Sequence, residues 1–296
     1  MELAKVIEII RQSIQMPDAS IEIIKRVGGM TNINYLITID AREYIVRIPG
    51  KGTGALVNRQ EEMENLQLAT TLGINPQLFY FNDVSGFKIT EKITGAVTLT
   101  PALAGLDSMM EKVAALFQKL HRAEVHMNNQ FDLFALIETY ERLVKEVNVP
   151  LFRHYEKVKE DLFKLKTLYE SFTIQETPCH IDPSYTNFIQ STDGNLYLID
   201  WEYSGQFDPL WDVAAFSLES GLSEREESIF HQHYFQRPLT KQEQQRIAMH
   251  KIFQDFLWSL WTLFKEAKGD EFGAYGMKRF LRAQENMKKF QQIFAI

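Results

Sequence analysis

The residues with the clearest capacity for chemistry stand in "HIDPSYTNFI", residues 180–189, which gathers His180, Asp182 and Asn187 in one short stretch. A second aspartate, Asp200, closes the apolar run "LYLID" a little further on. Transfer of the terminal phosphoryl group of ATP needs metal ions across the phosphates, an acceptor hydroxyl held in line and a carboxylate to take its proton. The asparagine carbonyl and the Asp200 carboxylate are hard oxygen ligands of the kind magnesium prefers. That leaves Asp182 to face the acceptor hydroxyl, with His180 buttressing the loop. A polar turn before a hairpin is also common in proteins that catalyse nothing, so the spacing of His, Asp and Asn alone leaves a structural reading open.

The elements that must position these groups favour the chemical reading. Two short apolar runs flank "STDGN" and read as a hairpin. Asp182, Asn187 and Asp200 then fall as loop aspartate, asparagine about five residues later and post-hairpin aspartate, the order in which protein kinases place their base and metal ligands. Upstream, residues 21–27, 34–39 and 43–48 read as three short strands of an antiparallel meander, broken by "GGMTN" and "DA". "NRQEEMENLQLATTLGI" sets Met63, Leu66, Ala69 and Leu72 on one side of a helix ending near Gly73, and "LFYFNDVSGFKITEKI" reads as a further strand pair. Arg47 in "YIVRIPG" is a cation in a strand otherwise apolar on both sides, a position suited to pairing with phosphate; its structural alternative is an edge-strand surface charge. Glu62 on the next helix can pair with it, although Glu61 is adjacent. "GGMTNIN" can cover phosphates through backbone amides and the side chains of Thr31, Asn32 and Asn34, and the Walker pattern is absent.

From residue 106 the pattern turns to long helices, 106–123, 133–147 and 151–172, so the chain reads as α+β, with a boundary in "TGAVTLTPAL", residues 94–103. A chain of 296 residues, 45% hydrophobic and 24% charged, can bury a substantial core. Its lone cysteine, Cys179, excludes an internal disulfide and a cysteine-built zinc site and fits a reducing cytoplasm. The opening "MELAKVIEIIRQSI" spaces Val6, Ile9, Ile10 and Ile14 as in an amphipathic helix, unlike a signal peptide. "FLWSLWTLF" falls far short of the roughly 18 apolar residues of a membrane span, so no membrane insertion is expected. A net charge of −7 argues against a nucleic-acid partner and suits a metal or a cationic small molecule.

Taken together, "GGMTNINYLI", "YIVRIPG", "NRQEEME", "HIDPSYTNF", "LYLIDWEYSGQFDPLWDVAAFSLES" and "FLWSLWTLFKEAKGDEFGAYG" resemble, in order, the choline/ethanolamine kinase family, bacterial choline kinases above all. The resemblance implies a protein-kinase-like fold of two lobes, shared with aminoglycoside phosphotransferases: a small antiparallel-sheet lobe with one main helix, residues 1–95, binding nucleotide, and a larger, mostly helical catalytic and substrate-binding lobe, 96–296. It implies ATP and Mg2+ as cofactors, Asp182 as base, Asn187 and Asp200 as magnesium ligands, and Arg47 with Glu62 at the phosphates. Glu91 and Ile93, in "TEKI", fall where the lobe-connecting strand meets adenine through backbone groups. Two departures stand in the loop: Thr186 precedes the asparagine where the family often has glutamate, and "PSY" is an unusual filler.

The acceptor implied is choline, a small cationic alcohol. A quaternary ammonium has no N–H to donate, so it is recognised by aromatic faces and a nearby negative charge, each ring contributing on the order of 0.5–2 kcal/mol. Trp258 and Trp261, three apart on an evident helix, share one face; without the resemblance such a pair is more often core. Tyr203, Phe272, Tyr275 and the acidic Glu219 lie in matching segments, while Asp208, Asp212 and His121 read as supports, the two aspartates for the loop after Asp200. Ethanolamine, another amino-alcohol or an aminoglycoside is the alternative acceptor, and a catalytically silent kinase-like binding protein is the alternative of another class.

Overall fold

A computed structural model describes residues 3–28, 32–50 and 57–294 of the chain. Helix α1, Leu3–Ile14, is followed by strands β1, Ile21–Val27, β2, Ile33–Ile39, and β3, Arg42–Ile48. Helix α2, Arg59–Thr71, and the strands β4, Leu78–Phe81, and β5, Lys88–Glu91, complete the first part. The meander and the strand pair join in one antiparallel sheet of order β1-β2-β3-β5-β4.

Strand alternation decides what each sheet face carries. Ile37, Ile39, Tyr44, Val46, Phe87 and Ile89 line one face and are covered by Val6 and Ile10 of α1, both fully buried. Burying two such side chains stabilises the fold by about 1.5–3 kcal/mol each. The register pairs Asn34 with Arg47 and Arg47 with Lys88, so this polar row occupies the opposite face. Helix α2 stands on that side. Its buried residues are Arg59, Glu62, Asn65, Leu66 and Ala69, whereas Met63 and Leu72 are only partly buried. The helix is turned from the apolar stripe read in the sequence because Glu62 and Asn65 find polar partners inside.

The second part is helical around five small strands. After β6, Val97–Thr98, come α3, Pro101–Ala104, α4, Asp107–His121, α5, Leu133–Glu146, and α6, Tyr155–Glu170. Helix α6 begins later than the pattern suggests because His154 adopts a left-handed conformation, φ 64°, which cannot continue a helix backward. Strand β7, Thr177–Cys179, leads into the loop of interest. The hairpin follows as β8, Phe188–Gln190, and β9, Leu196–Leu198, then β10, Gly205–Phe207, pairs back with β7. Helices α7, Leu210–Glu219, α8, Glu224–Phe235, α9, Lys241–Ala267, and α10, Tyr275–Phe294, close the chain. Thr240 with Glu243 and Ser223 with Glu226 form capping boxes that start α9 and α8.

Two apolar clusters hold this part together. One surrounds α9, through Phe253, Phe256 and Leu257, with α5, α6 and α10 packed on it. The other joins α4, β8 and β9 and also takes Leu66 and Ala69 from α2. The helix that carries Glu62 is therefore rooted in the helical part, while the strands that carry Arg47 and Lys88 are rooted against α1. Among the described residues no helix is long and apolar enough to cross a membrane.

Candidate active site

Asp182 sits on a loop whose geometry is imposed from behind. Ile181 has φ 73°, an outlier for a β-branched residue that surrounding structure must hold. Asp212, fully buried at the first turn of α7, supplies the hold: its carboxylate accepts from the backbone N–H of His180 at 2.7 Å and of Ile181 at 2.8 Å. The indole of Trp211 donates to the Ile181 carbonyl at 2.8 Å. His121 stands 3.1 Å from Asp212 and 2.8 Å from the hydroxyl of Tyr234. Asp212 thus supports the loop before Asp182, a correction to the expectation that it supports the loop after Asp200. His180 lies at 2.9 Å from the Ile199 carbonyl and packs edge-on against Trp201, and burial lowers its pKa.

The filler "PSYT" forms a tight turn. The Ser184 N–H donates to the Asp182 carbonyl at 2.9 Å, the Asn187 N–H to the Ser184 carbonyl at 2.9 Å, and residues Tyr185–Asn187 make one 3-10 turn. This folds Asn187 back on Asp182, where its amide nitrogen donates to the Asp182 carbonyl at 2.8 Å and to the carboxylate at 3.3 Å. Asn187 Oδ1 remains the acceptor of that side chain. Thr186 is exposed and points its hydroxyl to Ser184 at 3.1 Å.

Facing the loop is an ion cluster that the sheet, α2 and the segment after β9 build together. Arg47, 3% exposed, donates to Asp200 at 2.8 Å and to the Gly86 carbonyl at 3.0 Å, and pairs with Glu62. Arg59 reaches Glu62 at 2.6 Å and Glu202 at 3.2 Å. Lys88 lies 3.6 Å from Glu62 and 3.9 Å from Asp200. Gly86, at φ 73°, is required here: a Cβ would stand 2.4 Å from Arg59 Nε. The pair Arg47 and Glu62 was legible in the sequence, whereas Asp200 was read there as a metal ligand and its contact with Arg47 comes from the structure. Arg59, Lys88 and Glu202 were not singled out; a lysine inside the apolar run "FKIT" and a glutamate two residues past Asp200 were the available signals.

Electrostatics separate the carboxylates. Desolvation, with the charges of Asp200 and Glu202, pushes the Asp182 pKa up to about 7. Desolvation and Asp200 likewise raise Glu202 to about 7. Asp200 is held low: desolvation opposes ionisation there, but Arg47 and Lys88 outweigh it. Lys88 is lowered by burial and by Arg47. A divalent cation fits this chemistry, because the carboxylate of Asp200, 28% exposed, and Asn187 Oδ1 are hard oxygen donors beside mutually repelling acids. Glu62, Asp200 and Glu202 also bring carboxylate oxygens within 4.8 Å of one another.

The remaining expected residues are placed as follows. Thr31 lies outside the described residues. Asn32 is buried and accepts from the Gly50 N–H at 3.3 Å, and Asn34 donates to the Gly28 carbonyl at 3.5 Å. Glu91 spends its backbone N–H on the Gln77 carbonyl at 2.9 Å, and Ile93 is buried just beyond the strand. Tyr203, Trp258, Trp261 and Phe272 form a continuous row of rings, with successive centroids 5.3, 6.4 and 5.0 Å apart. Burial raises the pKa values of both Tyr203 and Tyr275; the Asp182 charge adds to this at Tyr275 directly after burial, and at Tyr203 only behind Tyr140 and Glu202. Glu219 pairs with Arg279, which stands 4.7 Å over the Tyr275 ring. Arg279 escaped sequence reasoning, since "MKRFLRAQ" reads as an ordinary amphipathic helix.

A choline/ethanolamine kinase family model matches residues 22–249. Protein LicA of Haemophilus influenzae is 30% identical over 261 residues, covering 86% of this chain and 76% of its own. The crystal structure of choline kinase LicA from Streptococcus pneumoniae superposes with a TM-score of 0.84 at 38% identity, covering 96% of this chain and 99% of that one. A crystal structure of LicA in complex with AMP gives a TM-score of 0.86 at 37% identity, covering 97% and 98%.

Proposed function

The chain belongs to the choline/ethanolamine kinase family, and from that premise we propose that it is a choline kinase, moving the γ-phosphoryl group of ATP to the hydroxyl of choline. The family makes it an ATP-dependent phosphotransferase with a kinase-like fold; the acceptor and the roles of individual residues are our reading. In it, residues 1–95 hold nucleotide and 96–296 supply the loop and the acceptor pocket. The observation that carries it is the row of rings Tyr203, Trp258, Trp261 and Phe272, which starts three residues after Asp200 at a tyrosine within the field of Asp182.

Asp182, with its pKa near 7, is tuned to orient the choline hydroxyl and take its proton as the bond to phosphorus forms. Asn187 fixes the Asp182 carboxylate from one side. Arg47 exchanges part of its contact with Asp200 for phosphate oxygens, while Arg59 and Lys88 keep Glu62 in place. Asn187 and Asp200 would hold magnesium, which would supply charge neutralisation at the phosphates. The rings receive the trimethylammonium group through cation–π contact, which needs no hydrogen-bond acceptor. A primary ammonium leaves its N–H groups unsatisfied against such a wall, which is why choline is placed ahead of ethanolamine. The test is magnesium-dependent ADP release with choline, ethanolamine, homoserine, thiamine and kanamycin as acceptors. Choline is expected to give the highest kcat/KM; no turnover with choline, or a clear preference for kanamycin, contradicts the proposal.

A further inference from the structure

We propose that Arg279 sets the acceptor preference of this site by sequestering Glu219, leaving the pocket to read methyl groups through its rings. This rests on the choline reading above and extends it to a residue outside the expected set.

Three helices converge on Arg279. It is 2% exposed on α10, donates to Asp255 of α9 at 3.0 Å and pairs with Glu219 at the end of α7. Its guanidinium covers one face of Tyr275 at 4.7 Å. Its field also reaches Asp182, whose pKa it lowers against the larger effects of desolvation, Asp200 and Glu202. The residue therefore stands behind the acceptor side of the site, in range of both the base and the rings.

The consequence concerns Glu219. An unpaired carboxylate beside aromatic rings would accept hydrogen bonds from a primary ammonium, and charge-assisted bonds of this kind are strong. Paired with Arg279, the carboxylate has its charge cancelled and an oxygen occupied. A quaternary ammonium loses only the attraction of that charge, because it has no N–H with which to bond the carboxylate. Ethanolamine loses the acceptor it would need. Arg279 also occupies one face of Tyr275, so a substrate cation meets that ring from the other face or at its edge.

The arrangement permits a clean substitution. Asp255 accepts from Arg282 through two bonds of 2.6 Å, so Arg279→Met leaves Asp255 paired and frees Glu219, whose side chain is 16% exposed. The experiment compares kcat and KM for choline and for ethanolamine at pH 8 in the wild type, Arg279→Met, Arg279→Lys and the double variant Arg279→Met/Glu219→Gln, with a thermal melt of each. Arg279→Met is expected to lower the choline-to-ethanolamine ratio of kcat/KM about tenfold, the size of one charge-assisted bond. The change in ratio should arise from a lower ethanolamine KM, while any change in kcat through the field of Arg279 on Asp182 should be shared by both acceptors. Arg279→Lys should keep the wild-type ratio, and the double variant, which buries no unpaired carboxylate, should return to it. Equal losses with both acceptors, or a ratio that stays low in the double variant, would overturn the proposal. Should Arg279→Met fail to fold, a double variant whose ratio departs from that of the wild type overturns it as well. A wild type that turns over neither acceptor would instead reject the choline reading.

Discussion

Three aspartates within one stretch of the chain, Asp200, Asp208 and Asp212, end in two kinds of environment. Asp208 and Asp212 are fully buried, and fixed partners take their oxygens. Asp208 accepts from Arg246 at 2.8 Å and from the Leu210 N–H at 2.9 Å, with His250 at 2.7 Å and the Tyr169 hydroxyl at 3.3 Å. Asp200 is 28% exposed and shares Arg47 and Lys88 with Glu62 and Glu202. In the first environment Arg246 and His250 both serve the single carboxylate of Asp208, so the ions act as structure. In the second, Arg47 and Lys88 are each shared among several carboxylates, so under the proposed function an incoming phosphate or metal would join by redistributing these pairs. The residue type is the same; exposure and redundancy of partners separate scaffold from chemistry.

This contrast breaks most readily on the buried side. Asp208→Ala strands Arg246 and His250 in the interior and should cost about 3–5 kcal/mol of stability, read by urea unfolding. A loss under 1 kcal/mol would erase the distinction. On the chemical side, Asp182→Ala should reduce kcat by roughly 100-fold or more while unfolding at no lower urea concentration than the wild type. Near-full activity would remove Asp182 from the role of base. Trp261→Ala should chiefly raise the KM for choline, by about tenfold, because one ring of the row is lost; a fall in kcat alone would place that ring outside the acceptor pocket.

The smallest effect sharpens the contrast through pH. The Asp182 pKa stands near 7 in the folded protein against an ordinary value of 3.8. The folded state therefore holds more protons between these values, and the contribution of Asp182 to stability falls as pH rises from about 4 to 7. Asp182→Asn should raise the melting temperature by about 2–4 °C at pH 8 and leave it unchanged near pH 4. The same pKa places the acid limb of kcat/KM near pH 7, activity rising with pH through it. An acid limb near pH 4 would mean that Asp200 and Glu202 do not act on the base.

What the sequence made legible was local or periodic. The strands, the hairpin, and the order Asp182, Asn187, Asp200 all rest on spacings of a few residues, which period and turn chemistry reveal. Arg47 was visible because a cation is conspicuous in an apolar strand, and Trp258 with Trp261 because one helix face carries both. Arg59, Lys88 and Glu202 were not singled out, because each gains meaning only from a distant partner: Arg59 meets Glu202 across 143 positions. Arg279 was hidden likewise, its partner Glu219 lying 60 positions away. The turn of α2 was missed because Glu62 and Asn65 are polar residues on a buried face, a pattern that hydrophobic periodicity counts as exposed.

The central claim, that a base poised near neutrality and a wall of rings together phosphorylate choline, is tested most directly by following phosphorus. ATP, magnesium and choline incubated with the protein should, by 31P NMR, give phosphocholine and ADP in equal amounts, with both formed roughly 100-fold or more slowly by Asp182→Ala. ATP consumed without a phosphocholine resonance, or phosphocholine formed undiminished by Asp182→Ala, would contradict the account.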